Sequence, residues 1–182
     1  MEYMLQKSSI IKTMEIFFLE PTKKHYLIEI SRKTGIAHTS IKKNLNKLLD
    51  NKIIKKETEI KASRKFPIYT ANIDEKQYKN YKTISNIQSI IEKRLIKYIQ
   101  DKLMPKSIVL FGSYARGEDT EESDIDIFVE CKSKKISLEK FEKELNRKIQ
   151  LHFKQDFTKY PKELKNNIIN GVTLSGFLQG YK

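Results

Sequence analysis

The stretch "VLFGSYARGEDTEESDIDIFVE", residues 109–130, decides how the second half of the chain folds. An apolar run ends at Gly112-Ser113, and ten residues later Asp124 and Asp126 alternate with Ile125 and Ile127. Alternate side chains of a strand share a face, which sets the two carboxylates roughly 7 Å apart along the chain. Like charges so placed repel, so the pattern asks for a cation between them. A solvated acidic turn is the plain account of Glu118–Glu122 next door. For the two aspartates, the alternation with isoleucine and the Gly-Ser upstream point instead to a built site.

Working outward, "SIVLF" (107–111) reads as a buried strand, and Gly112 and Ser113 open a short helix. Exposed N–H groups at such a junction form an anion site, and glycine lets a phosphate approach the backbone. Ser113 adds a hydroxyl donor. Carboxylates together with phosphate oxygens are the usual ligands of Mg²⁺. Two such ions, about 4 Å apart, stabilise the attacking and leaving oxygens of an in-line displacement at phosphorus. Beyond the acidic strand come a helix over 137–148, a strand "IQLHF" (149–153), a helix over 161–170 with Pro161 in its first turn, and a short edge strand "VTLSGF". Alternating strands and helices predict a small mixed sheet.

Gly-Ser, ten residues, then Asp-x-Asp closely resembles the signature of the DNA polymerase β-like nucleotidyltransferases, and the wording "GSYARGEDTEESDIDIFV" is most similar to the minimal nucleotidyltransferase (MNT) branch. The resemblance covers residues 105–178. It implies transfer of a nucleotidyl group, AMP from ATP, to a protein or nucleic-acid hydroxyl with Mg²⁺. Carried over position by position, Gly112 and Ser113 match the phosphate-binding pair, and Asp124 and Asp126 match the first two metal ligands. Arg116 is a candidate triphosphate contact or a brace for the acidic loop, and Ser123 a cap for the turn before the strand. Some members of the branch are antitoxins paired with a helical HEPN toxin, so such a partner is also implied. The family's third carboxylate falls at Gln150, and an amide neither binds Mg²⁺ well nor accepts a proton. Asp156 reaches the site only if its loop folds back, and His152 lies on the Gln150 face. Two readings therefore stand: an enzyme, or a regulator or antitoxin-like protein that binds nucleotide or a partner without turnover.

The first half is organised differently. "SSIIKTMEIFFLE" predicts a helix capped by Ser8 or Ser9 with Ile10, Met14, Phe17 and Phe18 inward, stopped by Pro21. Leu27, Ile28 and Ile30 begin a second helix that Gly35 ends in a left-handed turn. Thr39 or Ser40 then caps a third, with Ile41, Leu45, Leu48 and Leu49 inward. Its other face offers Thr39, Ser40, Lys42, Lys43, Asn46 and Lys47, side chains suited to phosphates and base edges. "IIKKETEI" and "FPIYTAN" read as strands around a basic tip, "KASRK", with Arg64 and Lys65. Over residues 8–73 the pattern resembles the winged helix-turn-helix domains of prokaryotic regulators, which implies double-stranded DNA as partner. Residues 75–104 read as one or two connecting helices whose stripe of Ile84, Ile87, Ile91, Leu95, Tyr98 and Ile99 predicts core or a homodimer seam.

The expected architecture is α+β: a winged helix-turn-helix over 1–74, a helical connector over 75–104, and a nucleotidyltransferase domain with a small mixed sheet over 105–182. Composition agrees with a polyanion-binding front half. Of the 182 residues 36 are Lys or Arg and 23 are Asp or Glu, a net charge of +13. Residues 1–75 carry a net +6, residues 76–104 a net +5 and residues 105–182 only +2. The single Cys131 excludes an internal disulfide and fits a reducing compartment. Scattered histidines argue against a Cys/His zinc centre. With no apolar run of spanning length and no leader-like start, a cytoplasmic protein without membrane contact is expected.

Overall fold

The computed structural model describes residues 7–157 and 160–179, and these fall into two compact units, Met1–Lys82 and Thr83–Lys182. In the first, α1 (Ser9–Leu19) is followed by a two-residue strand β1 (His25–Tyr26), α2 (Leu27–Thr34), α3 (His38–Asp50) and a hairpin of β2 (Ile54–Lys61) and β3 (Arg64–Ala71). The strands form an antiparallel sheet in the order β1-β3-β2. This is the winged helix-turn-helix arrangement. Gly35, at φ +67°, ends α2 in the left-handed conformation that a residue without Cβ adopts at least cost. The hairpin turns at Ala62 and Ser63, both with positive φ, the geometry that matches strand twist in a tight turn.

A core of Phe17, Phe18, Ile30, Ile41, Leu45, Leu48 and Tyr69 holds this unit together. Fully burying such side chains contributes about 1.5–3 kcal/mol each. Polar groups inside are paired: Asn44 of α3 donates to the Thr13 hydroxyl at 2.9 Å, and the Tyr78 hydroxyl donates to the Phe17 carbonyl at 2.9 Å. At the α1–α2 corner, Lys33 bridges the Glu20 and Glu29 carboxylates, and Lys23 adds a second contact to Glu20. Partial burial alone would raise the Glu20 pKa; the hydrogen bonds and charges of Lys23 and Lys33 outweigh it and lower it to about 2.

One expectation needs correction here. α3 begins at His38 with Ala37 as its N-cap, so neither Thr39 nor Ser40 caps it; both hydroxyls sit on its exposed first turn. Ile28 is exposed, because α2 buries only the face carrying Ile30.

The boundary between the units falls inside α4 (Lys76–Glu92), which is followed by α5 (Leu95–Leu103). Arg94, at φ +59°, separates the two helices and resets the helical phase. The stripe therefore does not form one buried face: Leu95 and Ile99 lie in the core, joined by Ile90, while Ile84 and Ile91 are 61% and 59% exposed.

The second unit continues with β4 (Ser107–Phe111), α6 (Gly112–Arg116), β5 (Ile125–Val129), α7 (Glu139–Leu145), β6 (Ile149–Phe153), α8 (Lys162–Ile169) and β7 (Val172–Gly176). The sheet order is β6-β5-β4-β7; β5 and β6 run parallel and the other pairs antiparallel, giving a mixed sheet. Strand alternation sorts the side chains to two faces. Ile108, Leu110, Ile125, Ile127 and Val129 pack with Ile90, Leu95, Ile99, Phe141 and Leu145. On the opposite face Val109, Phe111 and Phe128 pack with Phe157 and Ile168. Among the described residues no helix is long and apolar enough to cross a membrane.

Candidate functional site

The face that carries Phe111 and Phe128 ends in a cluster of polar side chains. Asp124 immediately precedes β5 and Asp126 is its second residue, so the carboxylates project to one side, as the alternation requires. Asp126 stands opposite Phe111 on β4 and opposite Gln150 on β6. The Gln150 amide nitrogen donates to Asp124 at 2.5 Å. Two residues on, His152 Nε2 lies 2.9 Å from Asp126 Oδ1, and the His152 ring meets Phe111 edge-on with centroids 5.0 Å apart. Asp126 and His152 are about a quarter exposed, so the pair opens to solvent.

Gly112 closes the site from the β4 side. Its φ is +77°, and a Cβ there would lie 2.8 Å from Asp126 Oδ2. The chain thus needs glycine twice at this point, for the backbone conformation and for space beside the carboxylate. Ser113 follows in the first turn of α6 and is partly exposed. Arg116, at the last turn of that helix, is half exposed, and its Nε donates to Glu118 at 2.7 Å, which makes it a brace of the acidic loop. Ser123 caps the turn before β5, its hydroxyl accepting the Thr120 N–H at 2.9 Å.

Beneath the loop is a buried polar knot that sequence reading missed. Asp119 is 2% exposed; its carboxylate accepts the Asn86 amide at 2.8 Å and lies 3.9 Å from Arg147 Nη2. Asn86 also donates to the Tyr114 carbonyl at 2.9 Å. Burial, reinforced by the Asp119 charge, pushes the Tyr114 hydroxyl well above its usual pKa. The knot fixes the loop between α6 and β5, and hence where Asp124 stands. Its contacts join residues 28 to 33 apart in sequence, and no local spacing announces them.

Outside the Asp124 carboxylate runs a groove of about 680 Å³, lined by Glu121, Glu122, Ser123 and Asp124 on one side and by Glu139, Glu142, Lys143, Asn146, Arg147 and Lys148 on the other. It meets the site at Asp124; Gly112 and Asp126 stand apart from it.

The geometry combines a glycine-lined cradle, a paired acidic ledge and an open face. Residues 92–174 match the family model described as a nucleotidyltransferase domain. The chain carries a nucleotidyltransferase domain. Two relatives from Methanocaldococcus jannaschii, each bearing the name "Putative protein adenylyltransferase", are 63% and 57% identical to it over 49 residues. That match covers 27% of this chain and 48% and 49% of those proteins, so the chain spans about half the length of the curated relatives it matches. Among solved structures, a point mutant of Lactococcus lactis ZitR aligns at 18% identity with a TM-score of 0.37, over 56% of this chain and 66% of that one.

Within the nucleotidyltransferase domain the residues read from the motif divide in two. Gly112, Asp124 and Asp126 converge, and Ser113 sits beside them. Arg116 turns to Glu118 instead. The position expected for a third carboxylate is Gln150, in register with Asp126. In the first unit, Thr39, Ser40, Lys42, Lys43 and Asn46 of α3 and Arg64 and Lys65 of the hairpin are all exposed.

Proposed function

We propose that this chain is a DNA-associated nucleotidyltransferase that moves AMP from ATP to a hydroxyl of a protein or nucleic acid, in the cytoplasm. The observation that carries the reading is the convergence of Asp124 and Asp126 on Gly112, where a Cβ would meet the Asp126 carboxylate at 2.8 Å. Both carboxylates presently accept hydrogen bonds or face a ring nitrogen, from Gln150 and His152, which stand where a cation would satisfy them better. An all-oxygen donor pair open to solvent suits Mg²⁺, which keeps waters and binds substrate phosphates. When bound, the ion supplies charge to offset what develops at phosphorus during in-line displacement.

The chain's own residues do the rest. The Gly112 and Ser113 N–H groups and the Ser113 hydroxyl would orient the triphosphate. The acceptor oxygen would bond to the α-phosphorus as pyrophosphate leaves on the opposite side. The groove that Asp124 helps to line would give the acceptor a path. The exposed polar face of α3 and the Arg64-Lys65 tip would bring the chain to duplex DNA, through phosphate contacts and base edges. A homodimer on a two-fold DNA site and a helical toxin as partner are further expectations of this reading.

Gln150 favours a second reading. It gives Asp124 a hydrogen-bond donor where catalysis would want a proton acceptor, as in a domain that binds nucleotide or a partner without turnover. Incubation with Mg²⁺ and α-labelled ATP, alone and with candidate acceptors, separates the two. Label transferred to a macromolecule and lost in Asp124→Ala/Asp126→Ala supports the enzyme. Retained nucleotide with no product under any acceptor supports the binder.

A further inference from the structure

At the α1–α2 corner of the first unit, three side chains aim at one point. His25 is fully buried, and its ring is held edge-on against Phe17 with centroids 5.2 Å apart. Its Nε2 faces the Glu20 carbonyl oxygen at 3.3 Å. A carbonyl only accepts, so Nε2 carries the hydrogen, and in the neutral ring Nδ1 is then a bare lone pair. That Nδ1 has no hydrogen-bond partner. It looks at Glu29 Oε1 at 3.7 Å and Glu20 Oε2 at 3.9 Å, and the three ligand atoms lie within 4.8 Å of one another. Two anionic oxygens and a buried lone pair thus converge. The Lys33 ammonium pairs with both oxygens and Lys23 with the other oxygen of Glu20, yet Nδ1 stays without a hydrogen-bond partner.

We propose that Glu20, His25 and Glu29 form a binding site for a divalent transition cation of the Zn²⁺ class, which displaces the Lys33 ammonium. Metal–ligand bonds of about 2.0–2.1 Å in a tetrahedron put ligand atoms roughly 3.4 Å apart, so the two distances from Nδ1 need contract by at most about half an ångström and the carboxylate pair by at most about 1.4 Å. Imidazole nitrogen selects Zn²⁺ and its neighbours over Mg²⁺, which prefers oxygen and keeps its waters. Bound there, the ion ties the end of α1, strand β1 and the first turn of α2 together, at the base of the helix-turn-helix. This site shares no residue with the Asp124 and Asp126 ledge.

The test uses the full chain carrying Asp124→Asn and Asp126→Asn, which removes the other acidic pair. After chelation, Zn²⁺ is titrated by calorimetry and followed by thermal melting, with Mg²⁺ as control. The expected result is one equivalent of Zn²⁺ per chain, with a Tm that rises with its concentration as ligand linkage requires and does not move with Mg²⁺. Glu20→Gln/Glu29→Gln, which removes two of the three ligands, is expected to weaken binding by more than the about 10–100-fold that loss of an outer-shell partner costs, and Glu29→Gln alone by a smaller factor in the same direction. Lys33→Met, which removes the competing ammonium, is expected to tighten binding at least about tenfold, since each tenfold is about 1.4 kcal/mol. A merely structural ion pair would not respond in that direction. Absence of Zn²⁺ binding, affinity unmoved by the glutamine variants, or no tightening in Lys33→Met overturns the proposal and leaves His25 as a buried imidazole beside two lysine-paired carboxylates.

Discussion

The Gln150 side chain donates to the Asp124 carboxylate at 2.5 Å, across parallel strands in which Gln150 is in register with Asp126. On the proposed function, a neutral amide occupies the place from which a proton acceptor would serve the incoming hydroxyl. It also relieves part of the repulsion between the two aspartates, a role a third carboxylate would reverse.

Gln150→Asp is accordingly expected to raise nucleotidyl transfer by about 10²-fold or more, the lower end of general-base effects. The same change should lower Tm without divalent cation and restore it with Mg²⁺, because three close carboxylates repel. Initial rates and melts with and without Mg²⁺ check both; unchanged rates would assign Gln150 to a domain that binds without turnover.

Gly112→Ala should lose Mg²⁺-triphosphate affinity by at least about tenfold. Its φ of +77° costs a residue with Cβ about 1–2 kcal/mol, and the added methyl would push on Asp126 Oδ2 from 2.8 Å. Urea unfolding should show a loss of that size, while titration of triphosphate onto the folded variant reports the displaced carboxylate.

Asp119→Ala is expected to destabilise the second unit by about 3–5 kcal/mol, the cost of leaving the buried Arg147 charge and the Asn86 amide without their carboxylate. Asp119→Asn should cost less, since it keeps an acceptor for Asn86. Denaturant midpoints of the two variants check the order.

Binding to duplex DNA should fall steeply with salt, as Lys and Arg release condensed counterions. Replacing Lys42, Lys43 and Arg64 together with Ala should flatten the slope of log K against log salt by about 3 and abolish binding near physiological ionic strength. Anisotropy titrations at several salt concentrations give the slope; a triple variant that binds like the parent removes α3 and the hairpin from the DNA account.

Much of this was legible in the residues. The Gly-Ser to Asp-x-Asp spacing gave the strand, the turn and the acidic ledge, because period-two alternation and a glycine at a junction are local properties. Gly35 marked the end of α2 for the same reason. The start of α3 was not legible: Thr39 and Ser40 are good caps by type, yet the helix begins at His38, with Ala37 as its cap and no side-chain cap bond. The connecting stripe misled because α4 buries the face of Tyr78, Lys82, Asn86 and Ile90 rather than that of Ile84 and Ile91, and Arg94 at positive φ then breaks the phase before Leu95. The Asn86, Asp119 and Arg147 knot and the His25 corner depend on tertiary contacts that no window of sequence contains.

The most direct measurement of the central claim is calorimetry of Mg²⁺-ATP against the parent chain and against Asp124→Asn/Asp126→Asn. One triphosphate bound per chain by the parent, dependent on Mg²⁺ and lost in the double variant while its Tm is kept, is the expected result. Equal heats from the two proteins, or none from the parent with ATP or any other common triphosphate, would contradict it.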